Sequence, residues 1–501
     1  MISSAISWYF RQRHQELWQM STNSTKYQLE LLEYFTEKLS RTAYGISLGV
    51  KDSIEYEEFK KRVPIAVYED LKPYILRSMN GEQKLIWPAD ITWFAKSSGT
   101  TSNEPKFIPI TFEALEYNHF KGSKEPITQF FDFSPDAKIF DGKGLLIGGS
   151  HKVNQMNSKS YYGDLSAVLM SHMPTWANWK STPDLHIAIM DNWEEKLEKM
   201  ALATIQENVT SISGAPTWSL VLLNRILEIT GKSNVHEVWP NLELFIHGGM
   251  SFEPYRQKFL SILSDPKMTY IETYNASEGF FGVQAALGKK EMLLMTHHGV
   301  FYEFFPVNEP PENAIPLWEV IPNVNYGMII TNNSGLWRYL IGDTVMFSSL
   351  NPPLFKITGR TKLFINAFGE ELIIDNTETA IANTCHVLNQ SLVDYTAAPR
   401  FEKGSEGHEW IIELEEPIID KELFINLLDE NLKKVNSDYQ SKRNGDILMK
   451  LPTVHFVPKG TFNLWLQKKG KLGGQNKVPR LSNSRLLLDE ILSAFKNAAS
   501  N

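Results

Sequence analysis

The stretch Ser97-Ser-Gly-Thr-Thr-Ser-Asn-Glu-Pro-Lys-Phe-Ile-Pro109 decides how this chain is interpreted. Five of its first six residues carry a hydroxyl group, the remaining one is Gly99, and Lys106 follows. Apolar, β-prone segments lie on both sides, so the pattern predicts a strand, a polar loop and a second strand. Hydroxyl groups, backbone N–H groups and an ammonium group together favour a polyphosphate anion. The alternative is a Ser/Thr-rich surface turn, because such polar segments are common between strands.

The segment from Ser97 to Thr101, together with Lys106 and Pro109, resembles the phosphate loop of the plant auxin-responsive acyl-acid amido synthetases. Those hormone-conjugating enzymes belong to the adenylate-forming superfamily, with acyl-CoA synthetases and luciferases, and this chain resembles a bacterial-like member. The resemblance implies that the loop binds ATP phosphates through Ser97, Ser98, Gly99, Thr100, Thr101 and Lys106. Glu104 departs from the family pattern, because it introduces a carboxylate beside the phosphates.

Composition excludes several classes of protein. The formal net charge of −8 argues against a nucleic-acid binder and means that ATP must meet a locally positive site and a divalent metal. The single cysteine, Cys385, excludes an intramolecular disulfide and a Cys-rich zinc site. No apolar run approaches the ~18 residues of a membrane span, and the N-terminus lacks the order of a signal peptide. We therefore expect a cytoplasmic monomer without a membrane segment.

A strand–helix–strand rhythm marks the centre of the chain. Asn241–Met250 predicts a strand ending in two glycines, a helical pattern follows, and Met268–Thr273 predicts the next strand. This rhythm is typical of a parallel sheet, whose ligands lie at the carboxyl ends of the strands. Gly248 and Gly249 end the first of these strands, and the segment from Tyr274 to Glu278 ends the second.

Tyr274-Asn-Ala-Ser-Glu278 resembles the superfamily motif Tyr-Gly-x-Ser/Thr-Glu, with Asn275 replacing the usual glycine. The resemblance implies that Tyr274 stacks on adenine and that Glu278, a catalytic residue, holds Mg²⁺ against the phosphates as an oxygen ligand. It also implies further nucleotide contacts at Gly248, Gly249, Thr273 and Ser277. A solvated loop carboxylate is the alternative interpretation of Glu278.

Tyr339-Leu-Ile-Gly-Asp343 resembles the family motif in which the aspartate binds the ribose hydroxyls. Leu340 stands where relatives often have an arginine, and Arg338 lies one position before Tyr339. Asp next to Gly at the end of a strand is also ordinary turn chemistry, so this motif is weak alone. Four residues are proposed walls of an acyl pocket: Tyr161, Tyr162, Leu165 and Trp218.

Two C-terminal segments complete the resemblance. Gly359-Arg-Thr-Lys362 is similar to the superfamily hinge, which implies that Arg360 lies near the ribose and that the small domain turns about Lys362. Gly473-Gly-Gln-Asn-Lys-Val-Pro-Arg480 is similar to the loop with the mobile catalytic lysine, which would be Lys477. A solvated lysine-rich face is the alternative for this second segment.

The expected fold class is α/β. It comprises a large adenylate-forming domain over residues 1–360, with parallel or mixed sheets and a β-rich part, and a small mobile α+β domain over 361–501. The hinge lies near 359–366. Close to the N-terminus, Thr25 and Gln28 predict a helix start through a capping box.

The expected function is an ATP- and Mg²⁺-dependent ligase of the AMP-forming type. It would form an acyl-adenylate from a carboxylic acid and transfer the acyl group to an amine, with an amino acid as the expected acceptor. The two half-reactions would use alternating positions of the small domain. Transfer to a thiol, as in acyl-CoA synthetases, and a non-catalytic nucleotide-binding regulator with this fold remain the alternatives.

Overall fold

The computed structural model describes most of the chain. The described residues are 2–97, 106–148, 153–190, 192–249, 252, 255–360, 364–365, 367–368, 370, 372–402, 406–443, 449–470, 477–482 and 484–499. Among the predicted site residues, those outside these ranges are Ser98, Gly99, Thr100, Thr101 and Lys362. Glu104 and the glycines of the C-terminal loop also lie outside them.

The α-helices occur along the whole chain. They are α1 (Ile2–Thr22), α2 (Ser24–Ser40), α3 (Ala43–Ser47), α4 (Tyr56–Arg62), α5 (Tyr68–Met79), α6 (Phe112–Ala114), α7 (Phe120–Ser123), α8 (Glu125–Phe133), α9 (Leu165–Ser171), α10 (Thr175–Trp179), α11 (Leu185–Ala188), α12 (Trp193–Thr204), α13 (Pro216–Thr230), α14 (Arg256–Ile262), α15 (Ile374–Val387), α16 (Lys421–Val435), α17 (Ser437–Arg443), α18 (Thr461–Lys468) and α19 (Leu486–Ala499). Within the described ranges, none of them is long and apolar enough to cross a membrane.

The strands begin after α5. They are β1 (Trp93–Ser97), β2 (Lys106–Ile110), β3 (Lys143–Leu146), β4 (Asn154–Asn157), β5 (Ser160–Gly163), β6 (Ser181–Thr182), β7 (Val209–Gly214), β8 (Leu244–Gly248), β9 (Thr269–Ala276), β10 (Gly279–Gln284), β11 (Met292–Leu294), β12 (Val300–Pro306), β13 (Ile315–Pro316), β14 (Asn325–Asn332), β15 (Tyr339–Leu350), β16 (Pro353–Arg360), β17 (Phe364–Ile365), β18 (Leu372–Ile373), β19 (Leu392–Arg400), β20 (Gly407–Leu414) and β21 (Thr453–Val457).

The largest sheet is mixed. Its strand order is β13-β12-β14-β15-β16-β11-β10-β9-β8-β7-β3-β6, and the run from β9 to β6 is parallel. Antiparallel pairing begins at β9 with β10 and continues through β11 to β16. A second sheet has the order β2-β1-β5-β4, and a third has the order β19-β20-β21. This arrangement confirms the predicted α/β class with mixed sheets and a β-rich part.

The predicted strand–helix–strand unit at the centre of the chain is confirmed. β8 leads through α14 to β9, and the two strands pair in parallel with Gly248 opposite Thr273. The apolar side chains of these strands lie inside, where Leu244 and Ile271 join one cluster with Phe10 of α1 and Phe131 of α8. The rings of Phe10 and Phe131 stack at 5.3 Å. Helix α8 thus lies against β9 and β10, and α1 packs on α8.

The chain divides into two compact units. Unit 1 comprises Met1–Met250, Ser261–Ile341 and Val345–Lys356, and unit 2 comprises Ser251–Leu260, Gly342–Thr344 and Ile357–Asn501. The core of unit 2 is formed where α15 and α16 pack on the sheet of β19 and β20, around Tyr395, Trp410 and Leu428. The domain limits expected from the sequence, 1–360 and 361–501, stay a prediction.

The predicted capping box at Thr25 and Gln28 is wrong. The N-cap of α2 is Asn23, and Gln28 lies inside the helix. The Gln28 side chain is fully buried and donates to the carbonyl oxygens of Thr296 and Val300 at 2.7 and 2.9 Å. Its amide oxygen accepts from the Tyr302 backbone N–H at 2.8 Å. Gln28 therefore forms hydrogen bonds with backbone groups in and just before β12, because a buried side-chain amide needs hydrogen-bond partners.

Arg338, whose contacts the sequence left unassigned, lies in a buried ion pair of unit 1. Its guanidinium makes two bonds of 2.9 Å to the carboxylate of Glu303, and both side chains are at most 3% exposed. Its third nitrogen donates to the carbonyl oxygens of Lys60 and Val63 at 3.0 and 2.9 Å. The Tyr56 hydroxyl donates to Glu303 at 3.1 Å. Arg338 thus joins α4 to the β-rich part and has a structural role.

Replacing Arg338 with methionine should destabilise unit 1 by about 3 to 5 kcal/mol, because Glu303 would keep a buried charge without a partner. Removing the exposed partner of Glu58 with Arg62→Met should cost less than about 1 kcal/mol. Urea unfolding followed by tryptophan fluorescence measures both. Equal losses in the two variants would contradict the assigned role, whereas partial recovery in Arg338→Met with Glu303→Leu would support it.

Candidate functional site

The expected strands on both sides of the polar loop are confirmed. β1 and β2 form an antiparallel hairpin in which Ser97 pairs with Lys106, so the loop leaves and returns at adjacent positions. The Lys106 ammonium lies 5.6 Å from the centre of the Tyr68 ring. The Tyr68 hydroxyl accepts from the backbone N–H of Phe107 at 2.9 Å. The base of the hairpin is therefore fixed against α5, whereas the phosphate role of its loop stays a prediction.

Two of the four proposed acyl-pocket residues lie on opposite faces of one strand. Tyr161 and Tyr162 lie side by side on β5, next to β1, and adjacent strand residues point to opposite faces of a sheet. Accordingly Tyr161 stacks on Trp93 at 4.8 Å, whereas Tyr162 contacts Phe107 edge-on at 5.5 Å. The pocket role of both tyrosines stays a prediction.

The other two proposed pocket residues occupy helix starts. Leu165 begins α9, directly after β5, and is 6% exposed. Trp218 lies in the first turn of α13 and is half-buried. Both positions follow strands, which is where ligands bind in open α/β sheets, and the pocket role of both residues stays a prediction.

Glu278 and Ser277 form the tight turn between β9 and β10. Two asparagines fix this turn: the Asn332 amide donates to the Glu278 carbonyl oxygen at 2.6 Å, and Asn118 bonds both backbone groups of Phe280. Sequence reasoning did not single out either asparagine. The available signal was Asn332-Asn-Ser-Gly after a strand, a composition typical of a turn.

The strand before this turn carries two more predicted residues. Tyr274 is 6% exposed and packs against the rings of Phe281 and Phe355 at 5.0 and 6.1 Å, so little of its ring surface is open to a ligand. Thr273 donates through its hydroxyl to the carbonyl oxygen of His247 at 3.1 Å. Stacking of adenine on Tyr274 stays a prediction and needs a face of the ring that these two contacts leave open.

The two positions at the end of β8 require glycine for different reasons. A Cβ atom at Gly248 would lie 2.6 Å from both the carbonyl oxygen and the hydroxyl of Thr273, so only glycine allows this approach of strands. Gly249 adopts φ +77°, which favours glycine over any residue with a side chain. The absence of both side chains is thus explained by the backbone, independently of a ligand.

In unit 2, Asp343 and Arg360 form an ion pair. The Arg360 Nε atom lies 2.9 Å from the Asp343 carboxylate, and both side chains are partly exposed. Each residue follows a glycine with positive φ, Gly342 at +86° and Gly359 at +152°. These glycines allow β15 and β16 to bend where the two charged side chains emerge. The pair brings together two residues that were predicted to bind the ribose.

The charges of Asp343 and Arg360 also affect the pKa of Lys477. Its pKa is lowered to about 8, first because surrounding protein desolvates the ammonium group and then because the Arg360 guanidinium repels it, while Asp343 acts in the opposite direction. The Lys477 residue is nevertheless exposed to solvent. Three residues from three separate motifs therefore meet in unit 2, with two positive charges and one negative.

The described residues fit a metal ion that takes only one ligand from the protein. They contain no group of three or more His, Cys, Asp or Glu side chains that could hold a metal. Glu278 is a single, half-buried carboxylate at a rigid turn. This fits Mg²⁺ that takes its other ligands from nucleotide phosphates and water, because Mg²⁺ often binds proteins through one or two carboxylates.

The fold is that of the adenylate-forming enzymes. A solved 2-hydroxyisobutyryl-CoA ligase with its adenylate superposes with a TM-score of 0.56 at 12% identity, over 97% of this chain and 92% of that one. The GH3.15 acyl acid amido synthetase in complex with 2,4-DB superposes with a TM-score of 0.78 at 18% identity, over 97% and 96%.

The chain belongs to the GH3 family. Its N-terminal domain model matches residues 13–268, its central domain model 293–360 and its C-terminal domain model 375–486. Curated relatives include an indole-3-acetic acid-amido synthetase of Arabidopsis thaliana, 23% identical over 92% of this chain and 90% of the relative. Another is a jasmonoyl-L-amino acid synthetase of Nicotiana attenuata, 24% identical over 95% and 94%. The predicted resemblance to the acyl-acid amido synthetases, and with it the enzyme class, is confirmed.

The three charges of this cluster predict the pH at which the Lys477 amine reacts. In the free protein, labelling of its amine as a function of pH should reach half its maximum near pH 8. Arg360→Met should move this midpoint upward, and Asp343→Asn should move it downward, because the first removes a repelling charge and the second an attracting one. Competitive acetylation with peptide mass spectrometry measures each midpoint.

Lys433 provides the internal control for this experiment. Its pKa is raised by the carboxylates of Asp429 and Glu430, against the opposing effect of burial. Lys433 should therefore label at a higher pH than Lys477 in every variant. A Lys477 midpoint at or above that of Lys433 would refute the proposed cluster.

Proposed function

We propose that this protein activates a carboxylic acid with Mg²⁺-ATP and transfers the acyl group to an amine. In the first half-reaction, a carboxylate oxygen attacks the α-phosphorus, and the bond to pyrophosphate breaks to leave an acyl-adenylate. In the second, the amine nitrogen attacks the activated carbonyl, loses a proton and expels AMP. An amino acid is the proposed acceptor, in line with the relatives, whose names describe amino acid conjugates.

The observation that carries this proposal is the ion pair of Asp343 and Arg360 in unit 2, together with its electrostatic influence on Lys477. Two of these residues come from the family's ribose and hinge motifs, and the third comes from its lysine loop. A cluster with one excess positive charge suits an anionic ligand. Membership of the GH3 family over nearly the whole chain supports the same chemistry.

In the proposed mechanism the protein acts mainly by positioning and by neutralising charge. Asp343 would accept hydrogen bonds from the ribose hydroxyls, and Arg360 would hold that carboxylate in place through their 2.9 Å contact. Lys477 would donate to an oxygen of the α-phosphate while negative charge develops there. Preorganised cations at such a point lower the barrier because they need no reorganisation during the reaction.

Glu278 would hold the metal ion that accompanies ATP. When bound, Mg²⁺ offsets the charge of the phosphates and so reduces their repulsion of the attacking carboxylate. The protein's own contribution is the position of the Glu278 main chain, which the bond from Asn332 to the Glu278 carbonyl oxygen fixes. The loop between Ser97 and Lys106 would contribute hydroxyl and backbone donors to the outer phosphates.

Pyrophosphate exchange tests the proposed function. The protein is incubated with ATP, Mg²⁺ and a panel of acids that includes indole-3-acetic, jasmonic and substituted benzoic acids, and labelled pyrophosphate is followed into ATP. Exchange that depends on one acid is the expected result. Exchange followed by product formation with coenzyme A instead of amino acids would favour transfer to a thiol. ATP binding without exchange for any acid would favour a regulator.

Replacing Glu278 with glutamine should reduce exchange by about two orders of magnitude while the protein remains folded. The amide keeps the shape of the side chain but lacks the charge that partners Mg²⁺, and such a contact is worth about 1.5 to 3 kcal/mol. The loss should be largest at limiting Mg²⁺. Glu309→Gln, at an exposed turn after β12, provides the matched control and should leave exchange unchanged. Full activity of Glu278→Gln at limiting Mg²⁺ would contradict the proposed role of Glu278 in metal binding.

Replacing Lys477 with alanine should abolish most acyl-adenylate formation but leave the second half-reaction near normal. The second step is measured by supplying a synthetic acyl-adenylate and the amine. The reason is that an ammonium at the α-phosphate serves the displacement of pyrophosphate, whereas aminolysis needs no such charge. Lys468→Ala, an exposed lysine at the end of α18, is the control in the same unit. Equal losses in both steps would make Lys477 structural.

The pH dependence of the first half-reaction follows from the same residue. Lys477 carries its proton below about pH 8, so kcat/KM for ATP should fall as the pH rises through that value. Lys477→Arg should be slower, because a planar fork does not replace a compact ammonium. That variant should lack the falling limb, since arginine keeps its proton. A falling limb that persists in Lys477→Arg would assign the titration to another group.

A further inference from the structure

The segment that follows Lys477 is fastened to the edge of β19. The Thr396 hydroxyl donates to the carbonyl oxygen of Pro479 at 2.7 Å, and the Ala397 N–H donates to that of Arg480 at 2.9 Å. The Ser482 N–H in turn donates to the carbonyl oxygen of Ala397 at 3.1 Å. The backbone is thus held from two residues after Lys477 onward.

Side chains on both sides of this segment are buried in the core of unit 2. Val478 is 4% exposed and belongs to the apolar cluster that contains Trp465 and Ile491. Leu481 is fully buried and belongs to a different cluster, with Tyr395 and Trp410. The segment is therefore anchored in two directions, so its rotation is restricted as well as its position.

Arg480 provides the third and strongest anchor. Its side chain is 12% exposed and forms an ion pair with Asp394 and a second one with Glu378, at 3.3 Å. The guanidinium carbon lies 4.6 Å from the centre of the Tyr395 ring, which fits a cation–π contact. Further bonds of 3.3 Å reach the Tyr395 carbonyl oxygen and the Tyr255 hydroxyl.

We propose that Arg480 is a positioning residue for the first half-reaction, which holds Lys477 at the place where its ammonium meets the α-phosphate. The inference rests on the proposed function of Lys477. Arg480 acts through the three-residue backbone link and touches neither substrate nor reacting atoms. Two carboxylates balance the charge of Arg480, so we expect it to act on Lys477 by fixing the position of the backbone.

The contacts explain why this position needs an arginine. The guanidinium offers five N–H donors in a rigid plane, and here it meets two carboxylates, a carbonyl oxygen and a hydroxyl while its face covers a ring. A lysine ammonium at the same place has three donors and no flat face, so it can satisfy only part of this set. Arg480→Lys should therefore rescue little.

The test separates the two half-reactions. Arg480→Met should lower acid-dependent pyrophosphate exchange by about 10- to 100-fold, because displacement of a catalytic group by about 1 Å is enough for such a loss. Aminolysis of a supplied acyl-adenylate should change less than about threefold. Arg485→Met is the matched control, since Arg485 also pairs with two carboxylates in unit 2, Glu409 at 2.8 Å and Asp489 at 2.9 Å. It should retain both steps even where its thermal unfolding temperature falls.

Thr396→Val keeps the inference testable if Arg480→Met does not fold. This nearly isosteric change removes only the hydroxyl that holds Pro479, and it should lower exchange selectively, by less than Arg480→Met. Lys477→Ala is measured beside both variants. If Lys477→Ala retains exchange, the proposed function of that lysine fails. If Lys477→Ala loses exchange while the Arg480 and Thr396 variants lose both steps equally, or lose neither, the positioning role is overturned.

Discussion

The close approach of β8 and β9 is the constraint on which the candidate residues of unit 1 depend. The parallel register sets Gly248 opposite Thr273, and a Cβ atom on the glycine would collide with the backbone of the neighbouring strand. Because β9 continues to Ala276 while β8 ends at Gly248, the β9–β10 turn with Glu278 projects beyond the end of β8. This is the edge at which parallel sheets bind ligands, since the strand ends leave room there.

Hydrogen bonds from buried amides convert this edge into a rigid support. Asn332 and Asn118 reach the β9–β10 turn from two different elements and bond to its backbone instead of its side chains. These contacts hold the main chain of the turn in place at Glu278 and Phe280. The metal role proposed for Glu278 would benefit from this arrangement, because a main chain that is fixed in advance loses less entropy on binding.

Local sequence patterns and the family resemblance predicted the helices and strands well, but they predicted few of the side-chain contacts. The strands around the polar loop and the β8–α14–β9 unit depend on short-range periodicity, and the structure contains them as expected. Gln28 and Arg338 were not predictable in this way, because each is buried against partners more than thirty residues away in sequence. Side chains alternate along β5, so the rings of Tyr161 and Tyr162 lie on opposite faces of the strand, and a shared pocket stays a prediction. The grouping of Asp343, Arg360 and Lys477 came from motifs alone, because no periodicity relates positions so far apart.

The charge of unit 2 explains why a lysine suits position 477. The protein carries a net charge of −8, yet Arg360 and Lys477 gather two positive charges around one carboxylate. In the absence of a ligand this arrangement favours loss of the Lys477 proton, and its pKa falls toward 8. Phosphate groups nearby would reverse that preference, because an opposite charge stabilises the protonated form. The ammonium is thus strongest when a polyphosphate is bound, which an arginine, charged in both states, cannot achieve. The backbone after Lys477 is firmly anchored, so a bound polyphosphate would act on Lys477 through its charge.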